Sequence, residues 1–137
     1  MSTWVVIDAI GILLLILIGL AIWWWRFRPG KLDSAYYKDS WQAIQKLCRS
    51  KTSWAEAIIS ADQLLAQALK KKRVRGRTMG AQLVAIQRIL SDNDGVWSAH
   101  KLRSKLETDA APRLKQVDVK EALVSIRQAL KDIGALQ

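Results

Sequence analysis

Residues 53–69 read SWAEAIISADQLLAQAL, and their periodicity decides the fold class. Trp54, Ile58, Ala61, Leu65 and Ala68 recur at three- and four-residue steps. That spacing lines one face of a helix, whereas a half-buried strand would alternate every second residue. Ser53 and Glu56 stand ahead of the stripe at capping-box spacing, the serine expected to accept from the N3 amide and the glutamate to reach back. The segment is predicted to be an amphipathic helix ending near KKKRVRG, residues 70–76.

The same period recurs on both sides of it. Upstream, within residues 33–50, Tyr37, Trp41, Ile44, Leu47 and Cys48 share a face. Downstream, Thr78 is positioned to cap a helix with Met79, Leu83, Ile86 and Leu90 turned inward, and SDND at 91–94 introduces another carrying Val96, Trp97, His100 and Leu102. Asp118 and Glu121 form a second capping-box pattern before a last helix with Ala122, Ile126, Ala129, Leu130 and Ile133, which Gly134 should end. No convincing strand alternation, internal repeat or low-complexity run is present. The fold class expected for residues 33–137 is all-α, a small helical bundle.

Toward the N-terminus the composition changes. Residues 9–25, AIGILLLILIGLAIWWW, carry no charge, and every Lys and Arg lies at or beyond Arg26. The apolar run extends to Trp4 if Asp8 is tolerated, and a helix of that length matches the ~30 Å hydrocarbon core of a bilayer. Trp4 at one end and Trp23, Trp24 and Trp25 at the other suit interfacial belts. A cleaved signal peptide would need positive charge before the run and a small-residue cleavage site after it, whereas here Arg26, Arg28 and Lys31 follow. Residues 1–27 are therefore read as an uncleaved single-pass anchor, its N-terminus outside and the rest of the chain cytoplasmic, because positive flanks stay inside. Asp8 near the outer edge can reach headgroup water, or it can meet a second membrane helix admitted by Gly11, Leu15 and Gly19. Pro29-Gly30 should stop the helix, and the linker at 28–32 is too short for a stalk. Cys48, the lone cysteine, suits a reducing compartment and reads as a buried small apolar residue.

The runs SWAEAIISADQLLAQAL, GRTMGAQL, VWSAHKLRS and the closing ALKDIGAL together resemble a family of small bacterial proteins without an assigned activity. Its members have one N-terminal membrane helix and a cytoplasmic helical bundle with a HEPN-like C-terminal domain. The resemblance covers about residues 1–137, through the combination AD-x-LL, TMG and VW-x-AHK-x-R. It implies a bacterial inner-membrane location and an all-helical module of the kind that includes both ribonucleases and inactive dimerising or scaffolding units. Family members continue AHK-x-R with Asn and later His, but here Ser104 stands where the Asn is expected and Thr108 where the His is expected. The catalytic pair that the resemblance implies is broken.

Chemistry gives the same answer. RNA cleavage without a metal needs a group that titrates near neutrality and a cation to steady the phosphorane. Arg103 could be the cation, but no imidazole follows it; His100, the only histidine, precedes it by one turn. On an amphipathic helix beside Trp97, a hydrogen-bonded, half-buried structural histidine is the plainer reading, so His100 and Arg103 remain weak candidates and no catalytic residue is assigned. One His and one Cys cannot make a usual zinc set, and GRTMG lacks both the glycine spacing and the preceding strand of a phosphate or dinucleotide loop. No cofactor or metal is expected.

Charge is the remaining clue. Residues 26–137 hold 22 Lys and Arg against 11 Asp and Glu, a balance of +11, and KKKRVRGR at 70–77 puts six basic residues in eight. Lys70, Lys71, Lys72, Arg73, Arg75 and Arg77 are the candidate polyanion-binding residues. Anionic headgroups attract such a segment by ~1 kcal/mol per nearby cation. RNA is the competing polyanion, although no aromatics interleave with the basic run to stack bases. A protein partner or a second copy of the chain is the third option. The expected role is a membrane-tethered interaction or scaffold module rather than an enzyme, with a membrane-bound HEPN-like RNA-binding protein or ribonuclease as the alternative.

Overall fold

A computed structural model describes residues 2–27, 30–108 and 113–137. All its regular structure is helical among the described residues: α1 Thr3–Phe27, α2 Ser34–Leu47, a 3-10 turn Lys51–Ser53, α3 Trp54–Lys71, α4 Met79–Ala85, α5 Asn93–Thr108 and α6 Gln116–Asp132. Arg28 and Pro29 of the expected linker lie outside the described residues.

α1 stands apart from the rest in character. Its span Thr3–Arg26 has a mean hydropathy of 3.0 and none of it is buried in the protein. It is long and apolar enough to cross a membrane, and it contributes nothing to the core of the bundle.

The bundle is organised around α3, which packs against α2, α4, α5 and α6. Ala57, Ala61 and Ala68 are fully buried on it and let neighbouring backbones approach, while Ile58, Leu65 and Leu69 fill the space between. Each of these large side chains contributes roughly 1.5–3 kcal/mol by leaving water. α2 covers one side with Tyr37, Trp41 and Ile44, and α6 the other with Ile126, Ala129 and Leu130. A smaller apolar cluster of Ile58, Leu106 and Val119 closes the end where α3 begins.

The helix ends explain the boundaries, and they correct three expectations. Asp33 caps α2 by accepting from the amides of Ala35 and Tyr36, and Thr78 caps α4 by accepting from Ala81. Ser53 makes no side-chain cap bond, because the 3-10 turn ahead of α3 leads the chain in without the extended geometry a cap requires. Asp118 sits inside the first turn of α6, not before it; the cap position is Lys115, and an acid in that turn favours the helix dipole. α4 is also shorter than its apolar stripe suggested, since the backbone turns after Ala85. Gly134 does end α6: at φ 85° it lets its own amide reach Lys131 O and that of Ala135 reach Leu130 O, a Schellman closure.

α5 is fastened to α6 by two acid–hydroxyl pairs. Asp92 accepts from the Ser125 hydroxyl at 2.7 Å and from the Gly95 amide at 3.1 Å, so one carboxylate caps α5 and grips α6. Ser91 donates its amide and hydroxyl to Asp132, both at 2.7 Å. Burial opposes ionisation of Asp132, but these bonds and one from Gln128 outweigh it and hold the carboxyl below its usual range.

Candidate functional site

Two places concentrate polar chemistry, and the first surrounds a residue to which the sequence reading gave no role. Asp62 lies on the inward face of α3, four residues after Ile58 and three before Leu65, and is 1% exposed. Its carboxylate meets two nitrogen-bearing side chains carried one turn apart on α5: His100 Nδ1 at 3.2 Å from Oδ1, and Arg103 Nε at 3.6 Å from Oδ2. The second distance is an ion pair too long for a hydrogen bond, and Arg103 Nε is buried without another acceptor. The other end of the guanidinium pairs with Glu107 at 2.9 Å, and Trp97 meets the His100 ring edge-on at 6.4 Å.

Burial pushes the Asp62 carboxyl above the usual range, while His100 and Arg103 pull it back. The signal that could have found it was an acid inside an apolar stripe, since carboxylates are almost never fully buried unless paired. His100 and Arg103 are thus brought together, but by a carboxylate that engages both. Ser104 and Thr108 are exposed, and their hydroxyls donate back to their own helix, to His100 O and Ser104 O respectively, each at 3.2 Å. This constellation can set the register of α5 on α3, and the Arg103 guanidinium is occupied at both ends.

The second place is the basic run after α3. Lys72 caps the helix, Arg73 takes the left-handed conformation at φ 57°, its amide reaches Lys70 O, and that of Val74 reaches Leu69 O. This too is a Schellman closure, but with arginine where glycine is the usual choice. Val74 packs on the core, Gln82 Nε2 donates to Val74 O at 3.3 Å, and Gly76 at φ 140° passes so close to Gln82 and Ala81 that no Cβ would fit. The loop therefore has a built shape. Lys70, Lys71, Arg73, Arg75 and Arg77 are exposed on it and Lys72 is half-buried; among the described residues none forms an ion pair.

The loop also touches the end of the linker. Gly30 N donates to Lys71 O at 3.2 Å, and a Cβ on Gly30 would overlap that carbonyl. The basic run and the chain emerging from α1 are thereby neighbours, a relation no local pattern announces.

Cys48 is half-buried, not fully so; its thiol donates to Ile44 O at 3.3 Å, and burial pushes its pKa up. Among the described residues no three His, Cys, Asp or Glu side chains come together as metal ligands. Comparison with known proteins finds no matching family model, no matching curated protein and no matching solved structure.

Proposed function

We propose that this chain is a single-pass, membrane-tethered helical interaction or scaffold module. In this reading α1 spans the bacterial inner membrane with its N-terminus outside, and the bundle lies on the cytoplasmic side with the 70–77 loop against anionic headgroups. The supporting observation is the bond from Gly30 to Lys71. It joins the run that carries five exposed cations, unpaired among the described residues, to a residue three positions beyond the end of α1, and a charged leaflet acts over a Debye length of ~8–10 Å.

A HEPN-like RNA-binding protein or ribonuclease is the competing reading, favoured by His100 and Arg103 sharing a face of α5. Against it stand the engagement of Arg103 by Asp62 and Glu107 and the replacement of the family's Asn and His by Ser104 and Thr108.

Limited trypsin digestion of the full chain in nanodiscs tests the lipid contact. Cleavage after the loop basics should be slower in phosphatidylglycerol than in phosphatidylcholine, with the difference removed by salt at about 1 M, where the Debye length falls to ~3 Å. Equal cleavage in both lipids would overturn it. Degradation of single-stranded RNA by the same preparation, abolished by R103A, would favour the ribonuclease.

A further inference from the structure

The opposite end of α3 carries a different kind of surface. Trp54 begins the helix, 17 residues from Lys71, so at ~1.5 Å per residue it lies about 25 Å from the basic loop. Its indole is held in place by donating to Cys48 O at 2.9 Å. On either side of this fixed ring is a concavity. One, of about 480 Å³, has an apolar floor that includes Trp41, Ile44, Val119 and Leu123, with Lys120 and Arg127 also in its wall. The other, of about 550 Å³, includes Lys51, Arg113, Leu114 and Lys115. Among the described residues the two linings together contain five cations and no carboxylate, and none of the five forms an ion pair there. Trp41, 6% exposed in the first wall, has a buried Nε1 with no acceptor.

Two other surfaces lack that combination. The larger concavity between α5 and α6, about 940 Å³, is lined by Lys101, Lys105 and Lys120 but also by Asp92, Asp118 and Glu121, so it has no net sign. The 70–77 loop has charge without an apolar floor. Around Trp54 an apolar recess and a positively charged rim coincide.

We propose that the paired concavities flanking Trp54 are a docking site for an acidic peptide segment bearing an apolar anchor residue. This rests on the interaction-module reading and names its partner class. The anchor side chain fills the recess floored by Trp41, Ile44 and Leu123, where burial excludes water from the contact. The flanking carboxylates meet Lys120 and Arg127 on one side and Lys51, Arg113 and Lys115 on the other, which steers the encounter and sets the sign of the partner. Nucleic acid fits less well, because Trp54 is a single stacking surface whereas single-strand binders present several along a groove.

The test uses the full chain in phosphatidylcholine nanodiscs, so it does not depend on any contact with anionic lipid. Three labelled probes are compared by fluorescence anisotropy: a short peptide of alternating Glu and Leu, one of alternating Glu and Ser with equal charge, and oligouridylate. The Glu–Leu peptide should bind at least about tenfold more tightly than the Glu–Ser peptide, and empty nanodiscs should bind neither. K120Q combined with R127Q, both at exposed positions, should weaken it by about tenfold or more. V124E, which places an acid on the exposed rim, should do the same without disturbing the core. The charge-reversed pair K120E and R127E should gain affinity for a Lys–Leu peptide, which guards against loss through misfolding. Equal binding of the two acidic peptides, or none of either, overturns the proposal, and tighter binding of oligouridylate assigns the site to nucleic acid. If the trypsin protection in anionic lipid fails while the Glu–Leu peptide still binds, the lipid contact is wrong and the docking site stands.

Discussion

His100 Nδ1 on α5 lies 3.2 Å from Asp62 Oδ1 on α3, a contact between residues 38 positions apart that joins two helices through a buried charge. Removing the carboxylate leaves His100 and Arg103, each less than a quarter exposed, without the partner they share. Asp62→Ala should cost about 2–3 kcal/mol at neutral pH, somewhat below a fully buried pair because both partners reach water. Urea denaturation of the full chain in detergent measures it. A loss under about 0.5 kcal/mol would show that the cluster does not hold α5 in place.

The same carboxyl sets a pH dependence. Because its folded pKa is raised, the folded state binds the proton more tightly. The proton-linked part of its contribution is complete below the unfolded value of about 3.9 and is lost as pH rises through the raised folded value, which leaves the pairing with His100 and Arg103 as what Asp62→Ala removes at neutral pH. The stability of the wild type relative to Asp62→Asn should therefore be highest near pH 4 and decline above it. A difference that grows from pH 4 to 7 would mean that the pull of His100 and Arg103 outweighs burial.

Arg73 occupies a left-handed position that glycine adopts without steric cost. Arg73→Gly should raise stability by about 0.5–1 kcal/mol, read as a higher melting temperature, while Arg73→Ala should not. If the glycine variant is also less protected from trypsin in anionic nanodiscs, the strained arginine is serving charge at the expense of stability. An unchanged or lower melting temperature for Arg73→Gly would mean the backbone carries no such strain.

A methyl group on Gly95 would overlap the Asp92 carboxylate and the Ser125 hydroxyl. Gly95→Ala should cost about 2–3 kcal/mol by prying α5 from α6. Ser125→Ala, which only removes the donor to Asp92, should cost about 1–2 kcal/mol. Their costs should fall short of additive in the double variant, since both break one contact.

Membrane topology is checked in cells. With Cys48 replaced by alanine, a cysteine at Ser2 should react with an impermeant thiol reagent, and one at Arg77 should not until the cells are permeabilised. The reverse pattern would invert the orientation inferred from Arg26, Arg28 and Lys31.

The helical character of every segment was legible locally, because an apolar stripe at the helical period is a property of neighbouring residues and water acts on it before any partner is present. Trp54, Ile58, Ala61 and Leu65 announce α3 in this way, and Gly134 announces the end of α6. The long apolar helix α1 was legible for the same reason, as nearly uninterrupted hydropathy from Trp4 to Trp25. Capping at Ser53 and Asp118 was misread because the box pattern names residue types but not the backbone angles that admit them, and the 3-10 turn at Lys51–Ser53 changes those angles. What the tertiary structure alone decided is which distant groups meet: Asp62 with His100 and Arg103, Asp92 with Ser125, Gly30 with Lys71, and Trp41 with Trp54 around an apolar recess. Each of these depends on the rotation and packing of whole helices about one another, and no one-dimensional period encodes it.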